Sequence, residues 1–177
     1  GIADAWFSDS GAPDTLTQVA AIAHLTKSIR IGTAVTPVYT RSPSVLAASA
    51  NVIGQLLPNR LVMGLGSSSQ TIMGQFNGIP LDKPLTRVRE TAQLVKIMLT
   101  GEKTDFDGET LFSKGYRQAP MENPPPVYLA ALRPNMIEMA AEVGDGVIFN
   151  LWPKAALPKM MEHVAIGAEK AGKNPAD

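Results

Sequence analysis

The 177 residues contain no cysteine, which excludes disulfides, thiolate nucleophiles and cysteine-ligated zinc or iron–sulfur clusters within the chain. Sixteen basic residues balance sixteen acidic ones, so the basic excess typical of a nucleic-acid-binding domain is missing. No apolar run approaches the roughly 20 residues that cross a bilayer. Hydrophobic residues nevertheless make up 45% of the chain, enough for a folded core. We therefore expect a soluble, cytoplasmic protein that binds neither nucleic acid nor membrane.

Groups suited to acid–base chemistry are also scarce. The two histidines, His24 and His163, fall in predicted helices, and there is no His-x-x-x-His pair with a glutamate positioned beside one as in a metal site. The Gly-x-Ser-x-Gly elbow of serine hydrolases is missing as well. Glu90, Glu138 and Glu142 occupy helix positions and are expected to be solvated. The sequence therefore assigns no metal site and no catalytic residue.

Apolar runs of strand length alternate with segments of helical period, which predicts parallel strands joined by crossover helices. The predicted strands cover residues 3–8, 29–35, 61–66, 127–132 and 146–151. The predicted helices cover residues 15–26, 43–57, 84–100, 135–143 and 154–171. An open doubly wound sheet and a barrel both use this unit, and both build the ligand site from the loops that follow the strands.

Two segments interrupt this alternation. Residues 67–83 have no clean period and include two glycines and a proline, so we predict a long functional loop without a helix. Asp107-Gly108 lies between two short runs, which predicts a hairpin insertion near residues 102–117 with its turn at this pair.

A glycine- and serine-rich turn, residues 64–69, follows the third predicted strand. It begins like a dinucleotide-binding fingerprint, but Ser69 replaces the third glycine and no helix is predicted directly after it. The backbone N–H groups and hydroxyls of such a turn can bind an anion. A tight turn that merely needs small residues explains the same pattern equally well.

Two other strand-end residues are candidate ligand-binding groups. Asp9 can accept hydrogen bonds from a bound ring or hydroxyl, although a simple turn role is the alternative. Arg133 precedes a predicted helix, whose free N–H groups favour a phosphate; the alternative is a solvated arginine at an ordinary helix start. A phosphate-bearing ligand on a scaffold poor in acid–base groups is typical of a cofactor enzyme.

Several segments together resemble the bacterial-luciferase-like superfamily of (β/α)8 TIM-barrel oxidoreductases. They are residues 3–9, 29–36, 39–43, 59–66 and 141–147. Residues 77–80, 84–90 and 128–136 resemble the branch that uses the deazaflavin coenzyme F420, and residues 34–36 and 39–41 are similar to the methylenetetrahydromethanopterin reductases. The resemblance extends along the whole chain and implies a single partial barrel domain, with about five of the eight β/α units present.

This resemblance implies a cofactor site at the strand ends. A non-prolyl cis peptide between Ala34 and Val35 is expected behind the deazaflavin ring, and the backbone N–H groups from Arg133 to Met136 are expected to bind the phosphate. Asp9 is expected near the ring or its polar tail. The full implied set of cofactor-binding residues is Asp9, Thr33, Ala34, Val35, Gly66, Ser67, Ala130, Ala131, Arg133, Asn135, Met136, Phe149 and Asn150.

The implied activity is hydride transfer between coenzyme F420 and a small organic substrate. The alternatives are an FMN-dependent monooxygenase of the same fold and a non-catalytic flavin- or deazaflavin-binding protein. Sugar-phosphate dehydrogenases of this branch have a histidine after the strand-end aspartate and a glutamate in the glycine-rich turn, where this chain has Ser10 and residues 67–69. We therefore do not expect a sugar-phosphate substrate.

The resemblance also bears on assembly. The chain opens inside a strand without an initiator methionine and lacks about three barrel units. It is expected to be an interior piece of a longer protein or a shortened barrel that a partner completes. A homodimer is expected because dimers are usual among the relatives.

Overall fold

A computed structural model describes residues 1–10 and 13–175 of the chain. Its strands are β1 (Asp4–Phe7), β2 (Arg30–Thr33), β3 (Thr36–Pro37), β4 (Leu61–Gly66), β5 (Asp105–Asp107), β6 (Phe112–Lys114), β7 (Val127–Ala130) and β8 (Gly146–Ile148). Its α-helices are α1 (Thr15–Ile22), α2 (Pro43–Leu56), α3 (Pro84–Thr100), α4 (Pro134–Val143) and α5 (Leu157–Lys170). Within these residues, no helix is long and apolar enough to cross a membrane.

The main sheet is parallel, with the strand order β1-β2-β4-β7-β8, and β3 also pairs with β4. Each neighbour is reached through a crossover that contains a helix, and the helices pack against one face of the sheet. This curled sheet is part of a TIM-type barrel, as the resemblance implied, whereas the alternation alone had left an open doubly wound sheet as an alternative.

The hydrophobic core lies between the sheet and the helices. Alternate strand residues such as Ile31, Met63 and Leu129 are fully buried there, because side chains alternate between the two faces of a strand. Helix α2 shows how the local sequence sets this packing: Ser42 accepts a hydrogen bond from the N–H of Val45, and the proline at the first helical position suits that site.

The opposite face of the sheet is concave and carries an aromatic pair. Trp6 lies over Gly32, where a Cβ atom would collide with its ring, and it stacks on Tyr128 with the ring centroids 6.0 Å apart. Trp6 remains 40% exposed. At the edge of this face, Arg30 forms a bidentate ion pair with Asp4, with distances of 2.8 and 2.9 Å.

Several predicted element boundaries were wrong. The predicted strand 29–35 ends at Thr33 and its continuation is the separate β3, while the strands predicted to reach residues 132 and 151 end at Ala130 and Ile148. The predicted loop 67–83 contains a turn of π-helix at Thr71–Phe76. An α-type bond from the N–H of Met73 to the carbonyl of Ser69 precedes it. A single turn gives too little periodicity to be recognised in a sequence.

The remaining boundaries differ by smaller amounts. The first helix changes from α to 3-10 geometry at Ala23–Leu25, and a 3-10 turn at Lys154–Ala156 precedes α5, close to the predicted restart near Pro158. The hairpin is present, but Asp107 belongs to β5 and residues 108–111 form the connection, so the predicted turn was displaced. Gly101 ends α3 as predicted, with a φ of +79° that favours glycine.

The prediction that three helical glutamates are solvated was wrong. Glu142 forms a bidentate ion pair with Arg89, at 2.7 and 2.8 Å, which joins α4 to α3. Glu138 contacts His163 at 2.9 Å and Lys170 at 2.7 Å, which joins α4 to α5, so a glutamate does stand beside this histidine. These partners lie on other helices, so local sequence patterns could not predict the ion pairs.

Glu90 is the third of these glutamates and is only 6% exposed. Its carboxylate accepts hydrogen bonds from the backbone N–H groups of Glu109, Thr110 and Leu111 and from the Thr110 hydroxyl, at 2.6 to 2.9 Å. Burial by itself raises the pKa of Glu90, but these hydrogen bonds outweigh it and the pKa is lowered. Glu90 therefore holds the hairpin connection against α3.

We predict that Glu90→Gln lowers the free energy of unfolding by about 2 kcal/mol at neutral pH, because a charge-assisted acceptor is replaced by an amide. The folded-state pKa of Glu90 lies below the ordinary value of 4.5, so its stabilisation is complete above that pH and is lost as the pH falls further. Urea unfolding across this range measures the difference between wild type and variant. The exposed Glu162→Gln is the control, and a difference that persists unchanged in acid contradicts the assignment.

Candidate functional site

The carboxyl ends of β1, β2, β4, β7 and β8 meet at one edge of the sheet, where parallel barrels build their ligand sites. Asp9 follows β1 within two residues, and Ser67 follows β4 directly. Arg133 and Asn150 follow β7 and β8. The topology therefore brings every predicted loop to the same edge.

A bulge interrupts the pairing of β2 with β4. Gly32 pairs with Val62 and Thr36 pairs with Leu65. The β2–β3 segment therefore advances four residues where β4 advances three, which is one extra residue. The peptide bond between Ala34 and Val35, inside this bulge, is cis, which confirms the expectation from the resemblance. The N–H of Ala34 donates to the carbonyl of Phe7 at 2.6 Å.

Thr33 is held by Gly64 on the neighbouring strand. Its hydroxyl accepts a hydrogen bond from the N–H of Gly64 at 2.9 Å and donates to the carbonyl of the same residue at 2.7 Å. Thr33 is fully buried, and a Cβ atom at Gly64 would collide with the Thr33 carbonyl. The geometry thus gives Thr33 a role in closing the bulge.

Small side chains form a floor just beyond the bulge. A Cβ atom at Gly66 would lie 2.8 Å from Cγ2 of Val35 and 3.1 Å from Cβ of Ala130, so these three residues are in contact only because position 66 is glycine. Val35 and Ala130 are half-buried, and the adjacent Ala34 is too. This floor of residues 34, 35, 66 and 130 offers an apolar surface at the strand ends.

The start of α4 adds hydrogen-bond donors to the same edge. Arg133 occupies the N-cap position, no side chain caps the helix, and the first intrahelical bond runs from the N–H of Ile137 to the Arg133 carbonyl. The N–H groups of Asn135 and Met136 therefore have no acceptor within the helix. Arg133 and Asn135 are exposed. Together they can bind an anion.

Arg41, which the pattern arguments did not single out, joins two of the strand-end loops. Its Nη1 lies 3.2 Å from Oδ2 of Asp9 and 3.2 Å from the hydroxyl of Thr40, while Nη2 contacts Oδ1 of Asp14. Asp14 also caps α1 by accepting a bond from the N–H of Thr17 at 2.7 Å. Asp9 is therefore held in place by an arginine from the β3–α2 loop.

A cavity of about 320 Å³ opens beside this ion-pair unit. The π-helical turn forms its other wall, so part of the predicted functional loop borders it. The lining residues are Asp9, Pro13, Asp14, Thr40, Arg41, Ile72, Met73 and Asn77. Two cavities of about 180 and 260 Å³ lie elsewhere, near the chain segment that precedes β7.

Other predicted site residues have different surroundings. Ala131 is 2% exposed, and its N–H donates to the carbonyl of Ile148 at 3.1 Å. Phe149 packs against the hydrophobic core, and Asn150 is exposed. The Ser67 hydroxyl donates to the carbonyl of Ser68 at 3.3 Å. Their roles in cofactor binding stay predictions.

The sequence model of one protein family, luciferase-like monooxygenase, matches residues 1–177. The chain belongs to this family. Among its relatives are a 5,10-methylenetetrahydromethanopterin reductase of Methanolobus tindarius, 32% identical over 100% of this chain and 54% of the relative, and an F420-dependent glucose-6-phosphate dehydrogenase of Gordonia bronchialis, 34% identical over 94% of this chain and 52% of the relative. The chain spans about half the length of these relatives.

Solved structures share the fold of this chain. The coenzyme F420-dependent tetrahydromethanopterin reductase of Methanopyrus kandleri has a TM-score of 0.90 at 22% identity and covers 98% of this chain and 55% of its own. An F420-dependent secondary alcohol dehydrogenase in complex with an F420-acetone adduct also has a TM-score of 0.90, at 19% identity, over 99% of this chain and 58% of its own. At these identities the likeness establishes the fold.

In this luciferase-like chain, variants at Thr33 can test the structural role of its hydroxyl in the absence of any cofactor. We predict that Thr33→Val lowers the free energy of unfolding by about 3 kcal/mol, because it leaves the N–H and the carbonyl of Gly64 unpaired in a buried place. Thr33→Ser keeps the hydroxyl and is the matched control. Thermal unfolding without any cofactor measures both variants, and a Thr33→Val variant as stable as Thr33→Ser would show that the hydroxyl does not close the bulge.

Proposed function

We propose that the protein is an oxidoreductase that transfers a hydride between coenzyme F420 and a small organic substrate. The observation that carries this proposal is the apolar floor of residues 34, 35, 66 and 130, which lies at the same sheet edge as the donor-rich start of α4. A flat ring with a phosphate-bearing tail needs both surfaces. Relatives and solved structures that cover 94 to 99% of this chain are F420-dependent by name, which supports the same choice.

The described residues fit such a cofactor. The floor provides contact area for a planar ring, and the N–H groups of Asn135 and Met136 with the Arg133 guanidinium provide donors for a phosphate. Asp9, held by Arg41, can accept a hydrogen bond from the ring or from a tail hydroxyl. When bound, F420 supplies the hydride chemistry at its C5 position. The chain's own contribution is to bind and orient the reactants and to keep water from one side of the ring.

We further propose that the 177 residues form part of one luciferase-like barrel domain and that the protein works in the cytoplasm. The first proposal is supported by the continuous sheet order, which has no break between its strands. The second is supported by the lack of cysteine, which suits a reducing compartment.

A titration of the protein with F420 and, separately, with FMN tests the function. We expect binding of F420 in the micromolar range or tighter and no comparable binding of FMN. Tryptophan fluorescence gives the readout because Trp152 follows β8 at the site edge and is 42% exposed. Tight binding of FMN instead points to a flavin monooxygenase, whereas F420 binding without turnover of any substrate points to a non-catalytic deazaflavin-binding protein.

The second arm of this titration uses Arg133→Gln. The variant is expected to weaken F420 binding about tenfold, as the loss of one charge-assisted hydrogen bond predicts, but to leave unchanged the affinity for a deazaflavin analogue without the phosphate tail. Lys114→Gln on the hairpin removes an equal charge and is the control. Equal weakening of both ligands would contradict a phosphate role for Arg133.

We also propose that the protein forms a homodimer through α2. This helix contains no charged residue, and its outer face exposes Val45, Val52 and Leu56 by 50 to 61%. Spacings of seven and four residues place the three side chains on one stripe. A second copy suits this stripe because a two-fold axis pairs the same patch with itself, and a net charge of zero gives no repulsion.

Val52→Lys tests the dimer, since burying a lysine in an apolar interface is costly. We expect sedimentation equilibrium to give a dimer mass for wild type and a monomer mass for this variant at micromolar concentration. Ile166→Lys changes another exposed apolar residue, on α5, and is expected to leave the dimer intact. A wild-type monomer, or dissociation by both variants, would overturn the proposal.

A further inference from the structure

The cavity between the loops that follow β1 and β3 carries a net negative charge. Of the residues that line it, Asp9, Asp14 and Arg41 are the charged ones, so two carboxylates face one guanidinium. Asp9 and Arg41 are mostly buried, with side-chain exposures of 16% and 19%. Solvent therefore screens these charges less than it screens surface groups.

The guanidinium of Arg41 is already occupied. Nη1 donates to Asp9 and to the Thr40 hydroxyl, and Nη2 contacts Asp14 on the other side. Phosphate and carboxylate groups bind arginine best through two parallel bonds to a free fork. This arginine offers no such fork to a ligand.

The rest of the cavity offers an acceptor and an apolar wall. No residue in the described ranges 1–10 and 13–175 is seen to donate to Oδ1 of Asp9, whereas Oδ2 receives Arg41. Ile72 and Met73 from the π-helical turn supply the apolar wall. A small molecule there meets carbon on one side and a carboxylate oxygen on the other.

We propose that this cavity is the substrate subsite and that the Asp9–Arg41–Asp14 unit selects neutral or cationic substrates that donate a hydrogen bond, such as alcohols and amines, against phosphorylated or carboxylated ones. This inference rests on the proposed F420-dependent function. Phosphorylated and carboxylated substrates are disfavoured because an anionic group that approaches this wall meets a surplus carboxylate.

A single introduced thiol measures the charge of the cavity without knowledge of the substrate. The chain has no cysteine, so Ile72→Cys places one reactive thiol in the cavity wall. Two methanethiosulfonate reagents of similar size, one with a trimethylammonium and one with a sulfonate group, are compared by their rates of modification. We expect the cationic reagent to be favoured at position 72 relative to the exposed control Gln55→Cys on the uncharged α2.

Two charge variants in the Ile72→Cys background make the test quantitative. Asp14→Asn removes one negative charge but keeps the helix cap, because asparagine caps as well as aspartate. We expect it to slow the cationic reagent and speed the anionic one about fivefold each, the effect of a unit charge at about 8 Å in an effective dielectric of about 40. Arg41→Gln is expected to shift both rates in the opposite direction. Modification rates that do not respond to these substitutions, or a preference for the anionic reagent at position 72, would overturn the proposal.

The same Ile72→Cys variant separates this inference from the proposed function. F420 is expected to bind it and to leave the thiol reactive towards the small neutral reagent methyl methanethiosulfonate, since a substrate subsite stays open beside the cofactor. Complete protection by F420 would assign the cavity to the cofactor and end the subsite proposal alone. Failure of F420 to bind the wild-type protein would contradict both the proposed function and the subsite. That conclusion would hold for any cavity charge measured from the modification rates.

Discussion

The paired hydrogen bonds between the Thr33 hydroxyl and Gly64 hold the site together. They replace the backbone ladder where β2 stops pairing with β4, and they are possible because Gly64 has no side chain to keep the strands apart. The extra residue of the bulge then turns Val35 over Gly66, and the floor follows from that contact. The position of the candidate site thus depends on two glycines and one buried hydroxyl.

Local sequence patterns were sufficient to predict the main layers of the fold. The run at 61–66 is apolar throughout because a central parallel strand is buried on both faces, and β4 has the predicted bounds. Ser42-Pro43 and Gly101 mark helix ends through capping chemistry that acts within a few residues. Helix boundaries were accordingly better predicted than the ends of short strands, which depend on pairing with neighbours.

The groups that the sequence did not reveal act over long separations. Arg41 reaches Asp9 across 32 residues, and Glu90 binds a connection 19 to 21 residues away. Periodicity cannot detect such contacts, because a buried carboxylate and a solvated one occupy the same helical pattern. The cis peptide between Ala34 and Val35 was expected only from the resemblance to a family, since nothing in the sequence Thr33-Ala34-Val35 distinguishes this segment from a continuous strand.

The floor formed by residues 34, 35, 66 and 130 has a stereochemical consequence. It covers one side of any planar ring that rests on it. The start of α4, on the same edge, fixes which end of such a ligand carries its anionic tail. Under the proposed hydride transfer, a ring with one face covered and one end fixed exchanges hydrogen on a single face, so a deuterium-labelled reactant would yield one stereoisomer of the product rather than a mixture.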